Sequence, residues 1–335
     1  MEFDFTEDQH EIKRTARDLL AKRSTAERVR TAAESATYEE SLWTELIELG
    51  WPGVAISEDH GGGGLGVLEL ATLLEESGYA LANSPLLATA ACGLAIQEAG
   101  SDEQKGQWLP KLASGEITGS FGIEGQTFPD APDSDVIVVV AADRASATVV
   151  ATDDADVSEV ITIDPTRRYG TVGLAEGGDS MPGNASAALS LATIITSAEL
   201  VGVCARALEM TVEYVKDRKQ FGHPVGSFQA VQHRAAQMLL HTEGARSVTY
   251  YAAWAADADR TLLEESAALA KSSASKAGVE VTASAIQAHG GIGFTWEADV
   301  HWFYKRAQLD AAYLGGTKTH RAKLTALAAA ASGSR

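Results

Sequence analysis

Only two cysteines stand among the 335 residues, Cys92 and Cys204, and neither has a neighbour at metal-ligand spacing. A disulfide framework and a cysteine-based zinc site are excluded, and both thiols are expected to be buried and inert. Basic residues are also scarce, with 27 Lys and Arg against 46 Asp and Glu and a formal net charge of −19. A surface of that sign is repelled by phosphate backbones, so nucleic-acid binding is not expected. An anionic ligand would have to be held by local cations or helix N-termini. Long hydrophobic runs are missing too. The most apolar stretch, 187–203, is interrupted by serines, threonines and Glu199, which suits a buried helix and not a membrane span. The acidic opening Met1-Glu2-Phe3-Asp4-Phe5 lacks the pattern of a signal peptide, and a cytoplasmic location is the expectation.

What is present falls into three zones, expected as domains at 1–118, 119–180 and 181–331. The first is helical. Thr6 and the acidic residues after it open a helix through about Arg23, with Ile12, Ala16, Leu19 and Leu20 on one face. Leu42, Leu46, Ile47 and Leu49 form a short stripe closed by Gly50; residues 66–76 form another, ended by Ser77-Gly78. Ser84-Pro85 opens the next, and Trp108-Leu109-Pro110 reads as packing plus helix termination. The four glycines 61–64 lack the Lys-Ser/Thr of a phosphate loop and read as a structural turn. In the middle zone the runs 136–140, 147–151, 160–163 and 171–174 are short and β-rich. The last zone returns to helix, with Leu200, Val201, Cys204, Leu208, Thr211 and Val215 at helical spacing and further helices over 227–256, 261–288 and 297–312. The tail 332–335 is expected to lack fixed structure.

The motifs then carry a resemblance. Phe3-Asp4-Phe5-Thr6-Glu7-Asp8-Gln9, Gly50-Trp51-Pro52-Gly53, Gly61 to Gly66 and Gln104 to Pro110 occur in order. They are followed by Asp217-Arg218-Lys219-Gln220-Phe221-Gly222-His223-Pro224, Ser227 to Gln232, and Gln287-Ala288-His289-Gly290-Gly291-Ile292-Gly293-Phe294. Together they resemble the acyl-CoA dehydrogenase family along nearly the whole chain. The resemblance implies a mainly α fold: an N-terminal helical domain, a small β domain and a C-terminal four-helix bundle. It also implies FAD. Arg218 offers a planar fork for a pyrophosphate, Phe221 and Phe228 an apolar plate for adenine, and Gln229 a partner for polar nucleotide atoms. Gln287, Gly290, Gly291 and Gly293 match the second FAD contact, where missing Cβ atoms let backbone approach a phosphate. These residues would reach FAD held mainly by a neighbouring subunit. Without the resemblance, Arg218 reads as a surface arginine beside a helix turn; with it, cofactor contact is the expectation, and His289 stands open between ligand contact and a satisfied packing residue. Trp296 and Phe303 are expected in the core.

Against the family pattern, two things are missing. The usual catalytic glutamate falls on Gly315, in Tyr313-Leu314-Gly315-Gly316-Thr317, and its alternative position falls at about Ala192. Neither 311–319 nor 185–198 contains a carboxylate. Glu199 is expected to face an arginine or a helix end, Glu297 to cap the following helix, and Glu124 to sit in the β unit. That unit also lacks the family's flavin-holding segments: it reads Phe121 to Pro129, and no tryptophan lies between Trp108 and Trp254. The resemblance therefore implies the shortened β-type subunit of a heterotetrameric, actinobacterial-type enzyme. Its partner would be a homologous catalytic subunit, its cofactor a shared FAD, and its substrate an acyl-CoA such as a steroid side-chain thioester. A homotetramer with a relocated base and a non-catalytic scaffold of the same fold remain alternatives.

Overall fold

The computed structural model describes residues 4–35, 37–174 and 178–333. Thr6 starts α1 (Glu7–Arg23) with a capping box: its hydroxyl accepts from the Gln9 amide, and the Gln9 side chain accepts from the Thr6 amide. Ala16 and Leu20 are buried and Ile12 and Leu19 pack beside them, the face the spacing predicts. The next helix, α2 (Ala26–Ser35), has an alanine-rich stripe too short to read from periodicity. Then α3 (Glu40–Glu48) stops before Gly50, which takes a left-handed φ of 73°.

The fourth helix, α4 (Val67–Ala80), runs through the Ser77-Gly78 pair expected to end it. Gly78 stays helical because it is a contact point with α7 (Ala185–Asp217). A Cβ on Gly78 would lie 2.1 Å from the Glu199 carbonyl oxygen, and one on Gly202 would lie 1.9 Å from that of Glu75. The two helices cross backbone on backbone, which only glycine permits. After α5 (Leu86–Ala99) comes α6 (Asp102–Ala113), which Pro110 does not terminate. The buried Leu112 and Ala113 hold the last turn on the core, outweighing the single bond that the proline forgoes.

The middle zone comprises β1 (Gly119–Ile123), β2 (Thr127–Pro129), β3 (Val136–Val140), β4 (Ala147–Ala151), β5 (Ala155–Glu159), β6 (Tyr169–Leu174) and β7 (Asp179–Met181). One sheet has the order β1-β3-β4-β7, parallel only between β1 and β3; the other is an antiparallel β2-β6-β5. Every residue of β3 is buried: Val136, Val138 and Val140 face the main core, Ile137 and Val139 a small core with Phe128 and Val150. The run 160–163, expected as a strand, is not one. Ile161 is 98% and Ile163 53% exposed, and β-branched composition makes no strand without a surface to pack on.

The C-terminal part is helical again. Every side chain of α7 from Ala187 to Cys204 is buried. By length and composition α7 could cross a membrane, but its apolar window lies wholly inside the protein. A two-stranded hairpin, β8 (Lys219–Gln220) and β9 (His223–Pro224), leads to α8 (Gln229–Ala258), α9 (Leu263–His289), α10 (Val300–Ala312) and α11 (Thr317–Gly333). Glu297 does not cap α10: it is exposed, and Asp299 holds the cap position. Ser332 and Gly333 belong to α11, contrary to expectation, while 334–335 lie outside the described residues. The fold is thus mainly α, with a small β region between two helical parts. Cys92 and Cys204 are buried in it, and burial pushes both thiols up to about 12.

Gly202→Ala is expected to cost roughly 1–3 kcal/mol or more by forcing α4 and α7 apart. Gly106→Ala, where a Cβ meets nothing within 4 Å, should be neutral or gain about 0.5–1 kcal/mol. Parallel thermal melts check this, and equal losses would sink the backbone-crossing account.

Candidate functional site

At the end of α7, the Arg218 amide donates to the Tyr214 carbonyl (2.9 Å) and the Arg218 carbonyl accepts from Val225 (2.7 Å), closing the β8–β9 hairpin. The hairpin tip, Phe221-Gly222, is left-handed at both residues, with φ of 52° and 79°. Phenylalanine there stores strain on the order of 1 kcal/mol. Its ring is 90% exposed and meets Phe228 edge-on at 6.3 Å. Gln229 then starts α8, and Phe228 provides the carbonyl for the Val231 and Gln232 amides. The Gln229 and Ala230 amides are left without intrahelical acceptors, at the positive end of the helix dipole.

The end of α9 lies alongside. The His289 ring stacks on Tyr214 at 4.4 Å, and its Nδ1 lies 2.8 Å from the Ala285 carbonyl. A carbonyl partner requires Nδ1–H, and burial lowers the pKa, so the neutral ring keeps Nε2 as an acceptor. His289 is therefore a packing residue that ties two helix ends together, with one nitrogen unspent. The following turn uses glycine for two different reasons. Gly290 takes φ 68° and ψ −144°, a conformation for glycine alone, and a Cβ on Gly290 or Gly291 would meet nothing within 4 Å. On Gly293 it would lie 2.7 Å from the Ile286 carbonyl, so that glycine serves the turn's own packing.

The stack and the hairpin place all nine expected cofactor residues, Arg218, Phe221, Phe228, Gln229, Gln287, His289, Gly290, Gly291 and Gly293, at one end of the bundle. All except His289 and Gly293 are exposed. Arg218 has no carboxylate partner among the described residues. An unpaired guanidinium, two free amides, two open glycines and an aromatic pair make a face that fits an anionic nucleotide such as FAD. The residues of the face are exposed, so it is an open surface.

Around Gly315 the surroundings are closed. Its φ is 99°, and a Cβ there would lie 3.1 Å from Thr319 Cγ2 and 3.4 Å from Arg144 Nη2. Leu314 before it is also left-handed, at 59°. Below, His320 Nε2 lies 3.2 Å from the Leu314 carbonyl; burial, then Lys271, pushes this imidazole down to about 4. Ala192 is wholly buried in α7. Glu199 faces arginine, as expected. Arg167 reaches it at 2.6 Å and Arg306 at 3.3 Å, while Arg306 also holds Asp164 (2.6 Å) and Thr166 Oγ1 (2.7 Å). Burial alone would raise the Glu199 pKa, but Arg167 and then Arg306 bring it below the ordinary value. Glu124 only accepts from the Ala142 amide at 3.3 Å.

Phe303 is buried as expected, but Trp296 is not. It is 72% exposed, edge-on to His301 at 5.2 Å and under the Lys305 ammonium at 4.5 Å. It precedes α10 on the outer surface and covers the Trp302–His301 pair without entering the core. Sequence reasoning missed the Tyr214 contact and the free α8 amides. The first is a tertiary stack with no local signal; the second was available from the position of Phe228 before the helix.

The Acyl-CoA dehydrogenase N-terminal domain family matches residues 6–116, and the Acyl-CoA dehydrogenase C-terminal domain family matches residues 183–328. The chain belongs to the acyl-CoA dehydrogenase family. It is 34% identical over 323 residues to the acyl-CoA dehydrogenase IpdE2 of Mycolicibacterium smegmatis, covering 96% of this chain and 99% of that protein. IpdE2 of Mycobacterium tuberculosis is 35% identical over 303 residues, covering 90% and 91%. Among solved structures, the ChsE4-ChsE5 complex from Mycobacterium tuberculosis superposes with a TM-score of 0.90 at 26% identity. A variant of the Tcur3481-Tcur3483 steroid acyl-CoA dehydrogenase does so with 0.89 at 28%, and both cover 98% of this chain and 99% of theirs.

Glu199→Ala is expected to cost about 3–5 kcal/mol, because it leaves two buried guanidinium groups short of a carboxylate; urea unfolding measures it. His320 generates a pH dependence. Its folded pKa of about 4 lies below the free value near 6.5, so the unfolded chain binds more protons between those values. Its contribution is present above pH 6.5 and is lost as pH falls toward 4, amounting to about 3 kcal/mol at most. His320→Gln should flatten that part of the stability profile; an unchanged slope contradicts the assignment.

Proposed function

We propose that this chain is a subunit of a heteromeric, FAD-dependent acyl-CoA dehydrogenase, lending cofactor contacts to a homologous catalytic subunit and leaving the base to that subunit. The reaction class is α,β-dehydrogenation of an acyl-CoA thioester, in which FAD, when bound, takes up the hydride. The observation that carries the reading is a pairing within one chain: an open nucleotide face at the bundle end, and a glycine in left-handed backbone where the family's glutamate is expected.

On this reading each group on the face has a task. Arg218 and the Gln229 and Ala230 amides neutralise the pyrophosphate. Gly290 and Gly291 let backbone approach it. Phe221 and Phe228 offer apolar surface to the adenine, and Gln229 and Gln287 satisfy its polar edges and those of the ribose. Glu199 is withdrawn from base chemistry because two arginines hold it ionised and buried. A steroid side-chain thioester is the favoured substrate class, supported by likeness to the Tcur3481-Tcur3483 steroid enzyme.

The chain purified alone is expected to be colourless and inactive. Co-expression with a longer homologue that carries a complete flavin site and a glutamate should yield a yellow, active complex. Arg218→Ala should lower FAD affinity of that complex roughly 10- to 100-fold, read by equilibrium dialysis. Yellow, fully active protein from this chain alone overturns the proposal. Unchanged FAD affinity after Arg218→Ala, in a complex that still assembles, favours a non-catalytic scaffold.

A further inference from the structure

A cavity of about 380 Å³ opens where the two helical parts meet. It shares no residue with the nucleotide face and does not depend on the subunit reading. Five helices wall it: α1, α2, the end of α4, the second half of α7, and α10. The floor is apolar, formed by Leu20, Val29, Leu81, Met210, Trp302 and Phe303. Its size sits at the low end of small-molecule pockets, roughly 300–1,000 Å³, and its five-sided enclosure suits a compact body better than a peptide helix.

The rim is polar but neutral. The Arg17 guanidinium lies over the Tyr79 ring, 3.4 Å from its centroid, and Arg206 approaches the same ring at 5.5 Å. Arg17 gives Nε and Nη2 to the buried Glu76, and Arg206 Nη1 lies 3.0 Å from Glu209. The Tyr79 hydroxyl also donates to Glu209, and Asp299 on the rim is matched by Arg30 at 2.7 Å. Every charge has a counter-charge, so nothing on the rim calls for an ion. What the cavity has in excess is donors. Both arginines keep N–H groups that bond nothing among the described residues. The indole N–H of Trp302, a buried wall residue, also finds no acceptor. A buried donor without a partner is uncommon and calls for an acceptor, as the Trp302 indole does, while the two arginines are about a third exposed and offer their spare donors at the cavity mouth.

From this balance we infer that the cavity binds a compact, uncharged ring hydrocarbon bearing a carbonyl oxygen. The apolar floor takes the rings, and the carbonyl accepts from the Arg17–Arg206 rim. Such a ligand fits the volume, adds no charge to a balanced rim, and gives the spare arginine donors an acceptor.

The test titrates the full chain with two probes of similar apolar bulk. One is progesterone, an uncharged ring ketone; the other is 8-anilinonaphthalene-1-sulfonate, an anion. Calorimetry and tryptophan fluorescence provide the readouts. Progesterone is expected to bind one per chain with a dissociation constant on the order of 10 μM, and more tightly than the sulfonate. Ala26→Trp, at an exposed position on the cavity wall, should weaken it at least tenfold by filling the space. Arg206→Met, which keeps the apolar stem, should weaken it several-fold and carries the test should Ala26→Trp not fold. Non-saturable binding, binding indifferent to both substitutions in folded protein, or tighter binding of the sulfonate each overturns the inference. A flavin result of either kind leaves this outcome untouched, so the two readings fail separately.

Discussion

The buried guanidinium of Arg306 is the joint that fixes the small β region to the C-terminal helices. It belongs to α10, yet it holds Asp164 and Thr166 from the segment before β6 and Glu199 from the middle of α7. Arg167 doubles the joint by binding Glu199 and Asp310. Burying two cations costs several kcal/mol each unless their partners are fixed, and here the partners come from three separate elements. The segment 160–168 has almost no regular structure of its own and owes its position to these bonds. Through it the β unit is set against the bundle. Tyr313 extends the joint by donating to the Phe121 carbonyl (2.7 Å), and Lys271 by donating to the Asp310 carbonyl at the end of α10.

Much of the helical fold was legible because its signals are local. The Thr6–Gln9 box, Gly50 after α3 and Ser84-Pro85 before α5 each follow from short-range chemistry. The failures have tertiary causes. Gly78 looks like a helix stop but is a contact with the Glu199 carbonyl 121 positions away along the chain. The run 160–163 has strand composition, but the Arg306 joint claims its flank and leaves Ile161 in solvent. In β1, β2 and β7 glycine, serine and proline hide strands that pairing alone reveals.

The residues of the proposed nucleotide face were singled out one by one in the sequence, since glycines, arginine and phenylalanines at those spacings carry their chemistry with them. Its openness was not, because exposure is a property of the assembled bundle. Nor could the sequence separate the three glycines of the turn into two that leave room and one that is crowded. A formal charge of −19 does not count against the proposed anion site, which needs only one unpaired arginine and a helix start, not a basic surface.

The left-handed Leu314-Gly315 pair limits which side chains position 315 can carry. A glutamate at 315 would need a backbone that L-residues avoid, with its Cβ 3.1 Å from Thr319 Cγ2 and 3.4 Å from the tip of the Arg144 side chain. A substitution at 315 alone is therefore strained, chiefly by the backbone, and asks Thr319 to give way by a few tenths of an ångström. Side-chain identity at 315 and the left-handed backbone are coupled, so a change of one asks for a change of the other.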